Sequence, residues 1–357
     1  MEVKINDIAK AAQLSRVTVS RVINGSTLVR KRTADRVWET MERLGYEVPL
    51  IRPGPRPRNP RPSRLQMGAI GFITIGETRH LLAEPTMVRV IEQLQTSCRK
   101  RKLNFLLDQM TTEDELPLCV QTKQVDGVVF MMIGSHHAYQ RKAIARLSSV
   151  IPCVQLLSPR HPMPSVDHIS VNDVAVGALA FRALRAKNCR SFVVINGGHE
   201  RHEARCVRGR AFLDRVHSRE FPGHCFAQAL SKEDSRRIWA EPLTVFEDFA
   251  EIPAQLKKMR AHLPEPMGVF LTLENEAPEI HEAFLTNGMF SSGKLHLIIA
   301  GTTPFYVGKL DPQPTLIDLR FPKIADTALG CLTRNPQLCP EEGMTFLLSP
   351  RLKEDSI

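Results

Sequence analysis

Ile5-Asn6-Asp7-Ile8-Ala9-Lys10-Ala11-Ala12-Gln13-Leu14-Ser15-Arg16-Val17-Thr18-Val19-Ser20-Arg21-Val22-Ile23-Asn24-Gly25 reads as two short helices joined by a tight turn. Ile5, Ile8, Ala9 and Ala12 recur at helical spacing and make one apolar face. Leu14 is the apolar residue of the turn. Ser15 can cap the second helix, its hydroxyl accepting the amide of residue 17 or 18. Val19, Val22 and Ile23 form the buried face of that helix. Arg16, Val17, Ser20 and Arg21 are then left near its start or on its open face. Asn24-Gly25 stops it. A third helix from about Arg32 to Leu44 packs Val37, Met41 and Leu44 against the pair and ends at Gly45. Three helices in about 45 residues, with a basic second helix, are the pattern of a helix-turn-helix DNA reader. The plainer alternative is a small helical bundle with solvated arginines.

The residues themselves narrow that choice. Asp7-Ile8-Ala9, Ala12, Leu14-Ser15, Thr18-Val19-Ser20-Arg21-Val22-Ile23-Asn24-Gly25, Val29, Thr33, Val37 and Leu44-Gly45-Tyr46 closely resemble the DNA-binding headpiece of the LacI/GalR family of bacterial transcription repressors. The resemblance implies that Arg16, Val17 and Arg21 read bases in the major groove. Arginine offers a bidentate fork to guanine O6 and N7, and Val17 can touch a thymine methyl. Thr18, Ser20 and Asn24 match residues that hold phosphates, which set register rather than sequence. Two positions depart from the pattern. Lys4 and Arg30 stand where the family usually has a capping Ser or Thr. Arg30, Lys31 and Arg32 together oppose the dipole of the third helix, a conflict that a DNA phosphate would offset. They are read as backbone contacts in preference to plain surface charge.

The 357 residues suffice for a small domain plus a two-lobed core, and 43% are apolar. No apolar run approaches the length of about 18 residues that a membrane span needs. The chain opens directly on the first helix without a signal peptide, so a cytoplasmic protein is expected. The eight cysteines are scattered, with no Cys-x-x-Cys pair. Free thiols are the expectation, and structural zinc is not. Net charge is +10, and residues 1–66 carry 14 Lys/Arg against 6 Asp/Glu. The other 291 residues carry 34 against 32, so the positive charge sits at the DNA-reading end.

Between the two regions, residues 49–66 are interrupted by Pro49, Pro53, Pro55, Pro57, Pro60 and Pro62. The family carries an Ala-Arg-x-Leu hinge helix here. The prolines forbid a regular helix from about 53 to 62 and favour an extended, polyproline-like strand. Arg56, Arg58 and Arg61, with Arg52 and Arg64, line it. Two readings stay open: an arginine arm lying in a narrow minor groove, or a charged spacer.

From Met67 onward short apolar strands alternate with amphipathic helices. Strands are expected at 68–73, 103–107, 125–131, 151–156, 167–173, 191–195, 267–272, 295–300, 315–319 and 344–348. Helices are expected near 87–102, 137–147, 174–186, 203–218, 276–286 and 322–333. Such alternation means α/β with a parallel sheet. The order resembles the periplasmic-binding-protein-like core of the same family, in which two lobes enclose a ligand cleft and the chain crosses between them three times. The expected architecture is an all-α helix-turn-helix domain at 1–48, a Pro/Arg-rich linker at 49–66 and a two-lobed α/β core at 67–350. Lobe 1 takes about 67–162 and 291–318, and lobe 2 about 163–290 and 319–350.

Landmarks of that resemblance are Val125-Asp126-Gly127, Asp173 with Gly177, and Arg208 three residues before Ala211-Phe212. By resemblance Arg208, Asp173, Asn275 and Thr303 fall at the effector site. Sugar-binding relatives have an Asp where this chain has Thr303, in Gly301-Thr302-Thr303, and Asn-Asp where it has Asn275-Glu276. The alignment can also slip to Arg205 with Gly209. A carbohydrate, another small molecule or no ligand at all stays open, as does a merely structural Arg208.

No Gly-rich nucleotide fingerprint, Gly-x-Ser-x-Gly or His-Glu-x-x-His is present. His199 and His202 lie near Glu200 and Glu203 without the order a metalloprotease needs. An enzyme is not expected, nor a cofactor or metal. The expected partners are a double-stranded operator, a second copy in a homodimer or higher homo-oligomer, and a small-molecule effector. Two-fold symmetry would match a pseudo-palindromic site. The alternative is a constitutive or architectural DNA binder whose core only dimerises.

Overall fold

The computed structural model describes residues 5–23, 29, 31–44, 67–76, 85–112, 115–133, 137–157, 166–195, 203–216, 224–225, 254, 257, 265–290, 293–333 and 343–353. The chain divides into two units, Met1–Arg56 and Pro57–Ile357.

The first unit holds α1 (Ile5–Ala11), α2 (Arg16–Ile23) and α3 (Lys31–Arg43). Ile8, Ala9, Val19, Val22, Val37 and Met41 make its core, with Ile5, Leu14 and Leu44 packed at the edge. These are the apolar positions of the helical repeat, so the spacing itself dictates the packing.

The second unit holds two six-stranded sheets. Sheet one has the order β11-β5-β4-β3-β1-β2, built from β1 (Ala69–Ile75), β2 (Asn104–Met110), β3 (Gly127–Met132), β4 (Cys153–Leu156), β5 (Asp167–Val171) and β11 (Thr345–Leu348). Sheet two has the order β12-β10-β9-β8-β6-β7, built from β6 (Ser191–Ile195), β7 (His224–Cys225), β8 (Met267–Leu271), β9 (Leu295–Ala300), β10 (Thr315–Asp318) and β12 (Arg351–Leu352). All pairings are parallel except β10 with β12. The helices are α4 (Pro85–Lys100), α5 (Leu118–Gln121), α6 (His137–Val150), α7 (Asp173–Ala186), α8 (Glu203–Val216), α9 (Ala277–Thr286), α10 (Pro304–Val307) and α11 (Phe321–Leu332). β1 and β6 are wholly buried, as continuous apolar strands under crossover helices must be.

The strand pairing redraws the expected lobes. β9 and β10, expected in lobe 1, are bonded into sheet two beside β8. β5 and β11, expected in lobe 2, pair with each other and with β4 in sheet one. α11 packs on α4, β4 and β5 and so belongs to the first lobe. The chain changes sheet three times: from β5 to α7, from β10 to α11, and from β11 to β12. Asn172 marks the first crossing, and its Oδ1 accepts the Ala175 amide at 3.0 Å to cap α7. At the second, Arg320 takes a left-handed φ of 62°, and its amide donates to Asp318 Oδ1 at 2.7 Å. Asp318 Oδ2 also accepts from Arg351 Nε at 3.0 Å, tying the second crossing to the third.

Lobe two is cemented by Phe181, Phe192, Phe212 and Phe270, whose rings meet at 5.2 to 6.2 Å. Gly177 lets α7 and α8 come close: a Cβ there would lie 2.3 Å from the Arg208 carbonyl oxygen and 2.7 Å from the Phe212 nitrogen. That approach places the first turns of α8 over the strand ends. Cys98, Cys119 and Cys189 are buried. Burial pushes their thiols up to about 11, 12 and 11, far from reactive thiolates. Among the described residues no helix is long and apolar enough to cross a membrane.

Candidate functional site

Two surfaces carry chemistry. On the first unit, Ser15 Oγ accepts the Thr18 amide at 3.1 Å and meets Thr18 Oγ1 at 2.9 Å, so α2 begins with a side-chain cap. Gln13 makes the turn with a left-handed φ of 51°, and its side-chain oxygen accepts from Arg36 Nη2 at 3.3 Å. The turn is thereby tied to α3. Arg16 and Arg21 are exposed, and Thr18 and Ser20 are half-buried. Val17 is 59% exposed. A β-branched apolar residue open to water between two exposed arginines adds nothing to the packing behind it. Lys31 opens α3, and Arg32 is exposed beside it. Asn24, Arg30, Arg56, Arg58 and Arg61 lie outside the described residues, as do His199 and His202.

The second surface lies at the carboxyl ends of sheet two. Arg208 is 4% exposed. Its Nε donates to Asp173 Oδ1 at 2.7 Å and its Nη1 to the Thr272 carbonyl at 3.0 Å. It therefore stitches α8 to α7 and to the end of β8. Burial raises the Asp173 carboxyl, and Arg208 pulls it back down. Thr303 does not stand without an acid: its amide donates to Glu274 Oε2 at 2.7 Å and its hydroxyl to Glu274 Oε1 at 2.5 Å. Gly301, at φ 147°, makes room for that carboxylate. Burial raises Glu274, while Thr303 and then Arg89 and Arg208 lower it.

A second buried pair lies one helical turn earlier. Arg205 Nη2 donates to Glu276 Oε1 at 2.5 Å, with Arg205 5% and Glu276 8% exposed. Burial raises Glu276, and Arg205 lowers it. Asn275, half-buried, adjoins the pair.

The structure thus brings Arg208 together with Asp173 and sets Asn275 beside Glu276, while Thr303 bonds to Glu274. Sequence reasoning did not single out Glu274. Its signal was available, as an acidic residue directly after an apolar strand and next to Asn275-Glu276. The acid was sought at position 303, and it reaches that position from the neighbouring strand.

A helix-turn-helix unit followed by a two-lobed, doubly wound α/β core defines the class: a helix-turn-helix protein with a periplasmic-binding-protein-like core. Residues 4–48 match the model of the bacterial regulatory proteins of the lacI family. Over 221 residues the chain is 26% identical to the HTH-type transcriptional regulator PtxS of Pseudomonas putida, covering 59% of this chain and 58% of that protein. It is 34% identical over 135 residues to catabolite control protein A of Priestia megaterium, covering 37% of each. The alignments therefore span less than two thirds of these relatives' length. The solved structure of a transcriptional regulator CelR–cellobiose complex superposes with a TM-score of 0.57 at 15% identity, over 99% of this chain and 98% of that one. Residues 4–48 are thus similar to the DNA-binding segment of the lacI family of bacterial regulatory proteins, and the rest of the chain shares the fold of the solved regulators.

Proposed function

We propose that this protein is a sequence-specific DNA-binding transcriptional regulator, acting as a dimer or larger homo-oligomer and repressing its target in response to a small metabolite such as a sugar or sugar derivative. The observation that carries the reading is the exposed row Arg16, Val17 and Arg21 on a capped α2 whose opposite face is buried. Arg16, Val17 and Arg21 read bases, and Thr18, Ser20, Asn24, Arg30, Lys31 and Arg32 hold the backbone. Arg56, Arg58 and Arg61 of the linker add sequence-independent attraction, whichever groove they follow. The effector enters between the lobes and biases the operator-bound arrangement by binding one arrangement more tightly than the other. The relative solved with cellobiose supports a hydroxylated ligand.

One observation favours the alternative of a core that only dimerises. Arg208, Asp173, Thr303 and Glu274 already bond to one another or to the backbone. The test of the DNA reading is selection of an operator from random duplexes with the full chain, followed by Arg21→Ala. Loss of one bidentate guanine contact costs specific binding about 1–3 kcal/mol. Non-specific binding should fall far less, and equal losses on both duplexes would sink the assignment.

A further inference from the structure

Arg99 and Lys100 end α4, and Lys102 occupies the turn that follows it. Lys123 occupies the turn between α5 and β3. All four are exposed, and none makes an ion pair or a side-chain hydrogen bond among the described residues. Arg101 differs, since its Nη1 donates to Asp326 Oδ1 at 2.8 Å. The fold brings the two turns to one place. β1 lies between β2 and β3, with Ala69 opposite Asn104 and Ile70 opposite Gly127. Asn104, two residues beyond Lys102, donates its amide to the Gly68 carbonyl at 2.8 Å. Asp126, three residues beyond Lys123, donates its amide to the Ala69 carbonyl at 2.8 Å, and its carboxylate accepts the amides of Met67, Gly68 and Ala69. The starts of β2 and β3 are therefore about 10 Å apart. The chain enters between them at Met67, straight from residues 49–66. The carboxylates of Asp126 and Asp326 are both already engaged, the second by Arg101 and Ser97.

Lys102 and Lys123 are also strained where they stand. Their φ values are 56° and 53°, in the left-handed region that favours Gly or Asn. The second lobe follows that preference at its helix-to-strand turns, with Asn188 at φ 61° after α7 and Gly288 at φ 64° after α9. A cation after the long α4 gains from the helix dipole. α5 has four residues and hardly a dipole, so local structure does not explain Lys123. Nor is the cluster background charge, because residues 67–357 carry 34 Lys/Arg against 32 Asp/Glu.

We infer that this face of the core is a second DNA-backbone contact, in which Arg99, Lys100, Lys102 and Lys123 bind phosphates of the duplex that the first unit reads. This rests on the reading of the chain as a DNA-binding regulator. Lysine is a compact, flexible point charge, suited to phosphates and not to reading bases. Residues 49–66 tether the face to any duplex the first unit holds, so a contact that is weak alone operates at high effective concentration. It adds affinity and salt dependence without adding sequence information.

The test uses the full chain, an operator selected from random duplexes, and an unrelated duplex of the same length, each titrated from about 50 to about 200 mM potassium chloride. Lys102→Gly combined with Lys123→Gly should flatten the slope of log K against log salt by about 0.9 for each lysine. Binding to both duplexes should weaken about tenfold or more at about 0.1 M salt. The Tm should hold or rise, because glycine relieves both backbones. Lost affinity with a retained Tm separates a missing contact from a damaged fold. Lys102→Arg combined with Lys123→Arg keeps the charges and should keep the parent's slope. On the operator, phosphate-ethylation interference should show positions that the parent needs and the glycine variant does not, while guanine-methylation interference stays the same. The inference is overturned if the glycine variant keeps the parent's slope and affinity on both duplexes, which would leave the cations to another polyanion. It is equally overturned if the loss is confined to the operator, which would place the effect in base reading. A parent that selects no operator removes the regulator itself, whereas a selected operator with an unmoved slope removes this inference alone.

Discussion

The two sheets share one winding order, yet their strand ends are finished differently. In the first lobe β1 and β3 are bridged by a neutral amide: Gln140 Nε2 donates to the Ile75 carbonyl at 3.1 Å and to the Ile133 carbonyl at 2.6 Å. Gly76, at φ 127°, makes room for it, since a Cβ there would lie 2.9 Å from that nitrogen. In the second lobe the corresponding ends of β6 and β8 are surrounded by Arg205, Arg208, Asp173, Glu274 and Glu276. Among the described residues, buried side-chain atoms without a partner near the carboxyl ends of the first sheet are Thr74 Oγ1 and Gln140 Oε1, both neutral, with Arg89 Nε on the following helix. In the second they include a carboxylate as well as an arginine. Closure chemistry that is neutral seals a crevice cheaply. Closure chemistry that is charged must be matched group by group, as Arg208 is by Asp173 and the Thr272 carbonyl. The difference puts the buried ion pairs of the described residues in the second lobe.

The largest effect should come from breaking the pair that is complete. Arg208→Ala leaves Asp173 buried without its partner and should cost about 3–5 kcal/mol in urea unfolding at pH 7. A loss below about 1 kcal/mol would mean that α8 is not held by this pair. Gln140→Leu tests the neutral side. It removes two bonds to backbone carbonyls and should cost about 1–3 kcal/mol, with no effect on operator binding if the first lobe's closure is purely structural. The smallest effect concerns pH. Burial holds Glu274 above the ordinary carboxylate value of 4.5. A raised carboxyl contributes stability that is present below the unfolded value and lost as pH rises through the folded one. Glu274→Gln does not titrate there, so its Tm should gain on the parent as pH climbs from about 4.5 to 7. A parent that gains on the variant over that range would show that the bonds from Thr303 outweigh burial.

Local elements were legible because their signals are local. Residues 191–195 and 295–300 carry the strand pattern end to end, and the structure places β6 and β9 there. Ser15 was legible as a cap for the same reason. The assignment of strands to lobes was not, because pairing is a long-range choice. Residues 295–300 read as a buried parallel strand in either sheet, and only register with β8 puts them in the second. The three crossings fall at polar residues such as Asn172 and Asp318, which look like ordinary strand ends. The short α5, α10, β7 and β12 have two to four residues each, too few for any periodicity to show. At the site, Arg208 and Asp173 were both legible as residues of interest. That they are interested in each other, across 35 positions, was not. Glu274 was hidden by the opposite error, an acid sought at one strand end and supplied by the next.

Asp126 has a mechanical consequence. Its carboxylate accepts the amides of Met67, Gly68 and Ala69 at 2.8, 2.5 and 3.2 Å. Three consecutive amides on one side chain make a mooring, fastened at the residues where the linker joins the core. From that mooring β1 runs seven residues, about 20 Å as a strand, to Gly76 at the crevice end of the first sheet. A strand flanked on both sides by parallel neighbours is stiff along its length. Met67 and Gly76 are thereby the two ends of one braced strand, held in fixed relation by the ladders on either side and by the carboxylate at its start.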